Sequence, residues 1–203
     1  MRRVFAVTMV VLALSTSAVG GGPRSQDKSS LRILRILFIG NSLTAANNLP
    51  GIVEALGRAR GGATVETTAV TASNFSLEDH WNQGQARAAI AKGRWAVVVL
   101  QQGPSALPES RVLLRDYTKR FAAEARKAGA RTALYMVWPS QARARDFDDV
   151  SESYALAARD VDGLLLPAGD AWREAWRLDP SLALYDSDGF HPSGLGSYLA
   201  ALA

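Results

Sequence analysis

The sequence predicts a single three-layer α/β/α domain built on a five-stranded, mostly parallel sheet. Three observations carry the prediction. Five short runs rich in β-branched residues or leucine recur along the chain, and stretches of helical spacing lie between them. The third run, Ala96-Val97-Val98-Val99-Leu100, is apolar without alternation, as expected of a strand covered on both faces. Strand alternating with helix is the pattern of a parallel sheet with helices on each side. A chain of 203 residues suits one such domain with a sizeable core.

The elements follow in order. Met1-Arg2-Arg3 leads into the apolar run Val4 to Leu14 and the small residues Ser15-Thr16-Ser17-Ala18. A basic start, a short apolar stretch and a small-residue cleavage site describe a secretory signal peptide over residues 1–19. The run is short and abruptly ended for a membrane span, so the expected product is secreted or periplasmic, with no stable membrane insertion after cleavage; a retained N-terminal anchor is the alternative. Removal near Ala18 takes Arg2 and Arg3 away and leaves +2 of the formal +4 charge. That bias is too weak to point to a nucleic-acid partner. The chain has no cysteine, which excludes disulfides, thiol catalysis, thiolate metal sites and a lipidated cysteine anchor.

Residues 20–30 are rich in Gly, Ser and charge and read as a flexible lead-in. The domain is expected over residues 31–203, with no internal repeat. Its strands are Leu31 to Ile39, Ala63 to Val70, Trp95 to Leu100, Arg131 to Trp138 and Gly163 to Leu166. Helical spacing marks Leu77 to Lys92, the Val112-Leu114-Tyr117-Phe121-Ala125 face and Val150 to Val161. Ser193 to Ala203, opened by Pro192, forms a final helix. In open parallel sheets, ligands sit beyond the carboxyl ends of the strands, and the unusual residues of this sequence cluster there.

The first strand ends in Gly40-Asn41-Ser42-Leu43-Thr44. Glycine lets the chain turn, and a serine just after it stands at the mouth of the sheet. Alone, such a segment also describes a turn with a helix-capping hydroxyl. A dinucleotide site is disfavoured, since the G-x-G-x-x-G spacing is absent. Near the other end stands Asp188-Gly189-Phe190-His191-Pro192. A serine hydroxyl needs a base, histidine suits that role at neutral pH, and a carboxylate holds the imidazole in the required tautomer. Asp and His three residues apart can do this from one loop if the chain turns at Gly189.

Taken together, these residues resemble the SGNH, or GDSL-like, hydrolase superfamily of serine esterases. Gly40-Asn41-Ser42-Leu43 is similar to its G-D-S-L block, and Asp188 to His191 matches its D-x-x-H block. The resemblance covers roughly Leu34 to Ala203. It implies a flavodoxin-like sheet, Ser42 as nucleophile, and Asp188 and His191 as its catalytic partners. It also implies an oxyanion hole made by the Ser42 backbone N–H and two further donors. The second block has no glycine, and Asn74 is its best match, because Asn tolerates a left-handed backbone. The third block reads Gln101-Gln102-Gly103 in place of G-x-N-D, and a glutamine amide can donate the same bond. Strand alternation lets only one of Gln101 and Gln102 point inward; Gln101 is the expectation. These departures resemble a branch near the carbohydrate esterases.

The resemblance implies hydrolysis of a short, acetyl-like acyl ester of a carbohydrate or related small molecule, with no cofactor. An acyltransferase with the same residues and a non-catalytic binding module of this fold are the alternatives. No metal is assigned, since His80, Asp188 and His191 show no helical metal spacing. His80 is expected to be packed and satisfied by a neighbouring carboxylate, with a role beside the substrate as the other option. Trp138 and Trp172 would either stack on a sugar ring or pack in the core. Arg143 and Arg145 would meet an acidic polymer or stand in solvent.

Overall fold

The computed structural model describes residues 32–203; the signal-peptide and lead-in readings lie outside the described residues. Five strands and their connections follow in chain order: β1 (Arg32–Gly40), α1 (Ser42–Ala45), a 3-10 turn (Ala46–Asn48), α2 (Leu49–Arg60), β2 (Ala63–Thr71), α3 (Leu77–Gln83), α4 (Gln85–Lys92), β3 (Val97–Leu100), α5 (Pro108–Lys127), β4 (Arg131–Tyr135), a second 3-10 segment (Gln141–Asp146), α6 (Phe147–Asp160), β5 (Leu164–Leu166), α7 (Ala168–Leu178) and α8 (Gly194–Ala201). The strands lie in the order β2-β1-β3-β4-β5, and every adjacent pair is parallel.

Topology follows from the right-handed crossover rule. The chain steps from β1 to β2 in one direction, then returns past β1 to β3, so the connecting helices fall on opposite faces. On one face α2 packs with β2 and α8, and α8 with α7; on the other α5 packs on β3 and β4 beside α3, α4 and α6. The reversal of direction occurs between β1 and β3, the switch point at which such sheets bind ligands.

Alternation sorts the core. Ile36, Phe38, Val97, Val99 and Tyr135 line a cavity with Leu49 and Val53 of α2 and Ala200 of α8. Leu37, Ile39, Val98, Leu100 and Leu134 therefore point the other way, and all are fully buried, as are Leu114, Phe121, Val150 and Tyr154. Each such side chain contributes about 1.5–3 kcal/mol by leaving water.

The expected helix Leu77 to Lys92 is two helices. Gly84, at φ +80°, ends α3 and opens α4, because that conformation cannot continue a right-handed helix. α3 is started by a capping box: Ser76 Oγ accepts from the Asp79 N–H at 3.2 Å, and Asp79 Oδ2 accepts from the Ser76 N–H at 2.8 Å. The strand expected to reach Trp138 stops at Tyr135, and Met136 to Trp138 follow it as buried chain outside any strand or helix.

Candidate active site

Ser42 opens α1 directly after β1, with Asn41 as its N-cap. Two features of this turn fix it. Asn41 Oδ1 accepts from the Leu43 N–H at 3.1 Å, and Asn41 Nδ2 donates to the Phe75 carbonyl at 3.0 Å. Gly40 is required by close approach rather than by a special backbone angle: a Cβ there would collide with Gln101 Oε1 and Thr44 Oγ1. The Ser42 N–H is left without a partner among the described residues, as the first turn of a helix leaves it.

The second half of the site is the loop from Asp186 to His191. Gly189 takes φ +66°, the turn the Asp-Gly-Phe-His spacing calls for. Asp188 Oδ1 accepts from the backbone N–H groups of Phe190 and His191, each at 2.8 Å. Asp188 Oδ2 accepts from His191 Nδ1 at 2.6 Å. With its proton on Nδ1, the imidazole presents Nε2 as an acceptor, and the Ser42 hydroxyl donates to it at 2.9 Å. Residues 149 positions apart are thus joined in one hydrogen-bonded chain. The ring N–H of His191, followed by the backbone N–H groups of Phe190 and His191, holds the Asp188 carboxyl down at about 2.

The loop is tied from three sides by residues whose part the sequence did not reveal. Trp138 Nε1 donates to the Phe190 carbonyl at 3.0 Å, and the Gln141 N–H donates to the Gly189 carbonyl at 2.8 Å. Asn47, itself left-handed at φ +52°, donates from Nδ2 to the Pro192 carbonyl at 2.8 Å and to Ser197 Oγ at 3.0 Å. Asn47 stands five residues after Ser42, so it couples the two halves of the site directly.

Asn74 has φ +63° and stands exposed at the rim of the cleft that holds Ser42. It is the left-handed residue the glycine-free second block calls for. Its side chain and its N–H have no partner among the described residues.

The expectation that Gln101 points into the cleft is corrected. Gln101 lies behind the serine turn: its Oε1 accepts from the Asn41 N–H at 2.9 Å and from Thr44 Oγ1 at 2.7 Å. Its Nε2 donates to Asn41 Oδ1 at 3.0 Å and to the Gln102 carbonyl. Both amide protons are spent, so it has none to offer an oxyanion. Alternation failed as a guide because β3 ends at Leu100, before either glutamine. Gln102 does border the cleft. Its Oε1 accepts from the Leu77 N–H at 3.1 Å, while Nε2 donates to Ser105 Oγ at 3.0 Å and to the Ser110 carbonyl at 3.2 Å. It too is fully committed, to the loop after β3.

His80 is buried, and its Nε2–H donates to the Gly40 carbonyl at 2.8 Å. Its partner is a main-chain carbonyl at the end of β1, since Asp79 is engaged by Ser76. Burial pushes the His80 imidazole below its usual value. Trp138 and Trp172 are both fully buried and stack on each other with centroids 3.5 Å apart, which removes them as sugar-stacking surfaces. Arg143 borders the Ser42 cleft and pairs with Asp146, and the Arg145 side chain is 89% exposed.

No family model matches the chain, and no curated protein matches it. Solved structures do. A protein from Slackia heliotrinireducens described as an SGNH hydrolase is similar at 31% identity and TM-score 0.68, covering 84% of this chain and 96% of that one. A catalytic mutant of an acetylxylan esterase from Geobacillus stearothermophilus is similar at 15% identity and TM-score 0.62, covering 83% of this chain and 91% of that one. A lipase/acylhydrolase from Enterococcus faecalis is similar at 15% identity and TM-score 0.65, covering 83% and 92%. The last two likenesses are of fold. The first joins sequence identity to fold over nearly the whole of both domains, and by it the chain belongs to the SGNH hydrolases.

Proposed function

We propose that this hydrolase cleaves carboxylic esters through a covalent acyl-enzyme on Ser42. Ser42 Oγ attacks the ester carbonyl while His191 Nε2 takes its proton. The carbonyl oxygen becomes an oxyanion, held by the Ser42 N–H and by Asn74. His191, charged and balanced by Asp188, returns the proton to the leaving alcohol oxygen. Water then gives a proton to His191 and attacks the acyl carbon, and the carboxylic acid departs as Ser42 recovers its proton. No step calls for a cofactor. The observation that carries this reading is the chain from Ser42 Oγ through His191 to Asp188, 2.9 and 2.6 Å long, beside two donors that have no partner among the described residues.

The finer expectation, a short acyl group such as acetyl on a carbohydrate or related ester, is supported by the resemblance to carbohydrate-acting esterases. A second reading has its own observation. The larger cleft beside Ser42, of about 480 Å³, is walled by Phe75, Leu107, Leu113 and Phe190, and favours a longer apolar acyl group. Transfer of the acyl group to a sugar hydroxyl in place of water would use the same residues.

The test is release of p-nitrophenol from its acetate and octanoate esters by the wild type and by Ser42→Ala, with product analysis in the presence of a sugar acceptor. The expected result is Ser42-dependent release of free acid, falling by about 10³-fold or more in the variant. An acylated sugar as main product would make it a transferase. Equal turnover by both proteins would remove Ser42 as the nucleophile, and none by either when folded would favour the binding module.

A further inference from the structure

Ser42 stands where two clefts meet. Asn41 and Ser42 border both of them. The smaller, of about 320 Å³, is closed by His191 together with Thr71, Ala72 and Ser73 from the end of β2. The larger, of about 480 Å³, runs the other way, between Asn74-Phe75, the Gly103–Leu107 loop and the Pro139–Ser140 segment. His191 does not border it; the neighbouring Phe190 does.

Proton delivery assigns the two clefts. In an acyl transfer the leaving oxygen must come within hydrogen-bond reach of the base that took the serine proton. That base is His191 Nε2, and His191 borders the smaller cleft. The group that stays on Ser42 then lies in the cleft His191 does not border. We infer that the larger cleft is an acyl pocket for an apolar chain or ring well beyond acetyl size, and that the smaller cleft, which Ala45, Ala46, Thr71, Ala72 and Ser73 line beside His191, takes the alcohol. The inference rests on the acyl-enzyme reading above.

The wall of the larger cleft is built to be there before substrate arrives. Ser105 holds φ +59°, a conformation that costs a non-glycine residue free energy and persists only where its surroundings fix it. They do so here. Gln102 Nε2 donates to Ser105 Oγ, Ser153 Oγ donates to the Ser105 carbonyl at 2.7 Å, and the Tyr154 hydroxyl donates to the Gln102 carbonyl at 2.6 Å. Gln102 is therefore a positioning residue of this wall. The same loop presents Leu107, a leucine 51% exposed, beside Leu113 on the first turns of α5. Apolar surface held open in this way is surface a substrate can cover.

The experiment crosses two substrate series with two variants of the full chain. One series varies the acyl group from acetate to octanoate on p-nitrophenol; the other varies the alcohol on a fixed acyl group. Wild-type kcat/KM is expected to rise at least about tenfold from acetate to hexanoate, since each buried methylene can add up to about fourfold. Leu113→Trp, which fills the larger cleft, is expected to lower the hexanoate-to-acetate ratio by about tenfold and leave the ranking of alcohols in place. Ser73→Trp, in the smaller cleft, is expected to change the ranking of alcohols and leave the acyl ratio in place. Thermal melts of both variants separate these effects from unfolding, because a fold defect lowers all substrates together. A wild type confined to acetate, or two variants that shift the acyl series alike, would overturn the cleft assignment while Ser42 dependence still stood. Activity that survived Ser42→Ala would instead overturn the reading beneath it.

Discussion

Gln101 and Asn41 hold each other by two hydrogen bonds: the Asn41 N–H donates to Gln101 Oε1 at 2.9 Å, and Gln101 Nε2 donates to Asn41 Oδ1 at 3.0 Å. The pair sits directly beneath Ser42 and sets the angle at which β1 passes into α1. Its consequence is that an amide behind the nucleophile, remote from substrate, governs where the hydroxyl points.

Replacing Gln101 by Met keeps the volume and removes both bonds, leaving the buried Asn41 N–H unsatisfied at a cost of about 1–3 kcal/mol. Gln101→Met is expected to lower kcat by about 10- to 100-fold with KM changed less than threefold, and to lower the melting temperature. Gly40→Ala is expected to act in the same direction, since its Cβ would displace the Gln101 amide. Wild-type kcat in Gln101→Met would show that the serine turn holds itself.

Asn74 separates two ways of binding an oxyanion. If its backbone N–H is the donor, Asn74→Gly keeps both the donor and the left-handed backbone at φ +63° and should retain kcat within about threefold. Loss of a side-chain donor would instead cost about 10²–10³ in kcat. The left-handed conformation points to the backbone donor, so Asn74→Gly is expected to be active and Asn74→Ala, which the conformation disfavours, to be less stable. Steady-state kinetics and thermal melts of the two variants check this.

The local signals in this chain were those that three or four adjacent residues carry. Asp188 and His191 could be paired because Gly189 lies between them, and Ser42 because it follows an apolar strand and a glycine. What could not be read depended on approach from a distance. The sequence of α2, Leu49–Arg60, contains Pro50, Gly51 and Gly57, which mask its helical spacing. Gly57 is there because a Cβ would strike Val65 on β2. α7 was equally unmarked, since Trp172 reads as a rim residue until Trp138 is seen stacked on it. The choice between Gln101 and Gln102 fell beyond the end of β3, where strand alternation no longer applies.

Asp188 links the site to acid stability. Its carboxyl titrates at about 2 in the folded chain, below the usual value of about 3.9. As pH falls, the unfolded chain therefore takes up the proton first. The stability this group contributes is whole above about pH 4 and is lost as pH falls through about 2. Asp188→Asn lacks it at every pH. The melting temperature of the wild type is thus expected to exceed that of the variant at pH 6, with a gap that narrows between pH 4 and pH 2. A gap constant over that range would mean that the His191 and backbone bonds do not hold the charge.

Asn47 joins the serine turn to the histidine loop through the Pro192 carbonyl and Ser197 Oγ. Asn47→Gly accepts the same φ of +52° and removes only the two bonds. A fall in kcat of about three- to tenfold with little change in melting temperature is expected. Equal losses in stability and activity would assign Asn47 to the fold alone.

In the proposed reaction Ser42 forms a covalent bond with the acyl carbon. The most direct measurement is intact mass and peptide mapping after reaction with a fluorophosphonate, which traps an activated serine. One adduct per chain is expected, on the peptide holding Ser42, with none on Ser42→Ala and a rate that drops sharply in His191→Ala. An adduct on another serine, or ester turnover that continues with Ser42 unmodified, would contradict it.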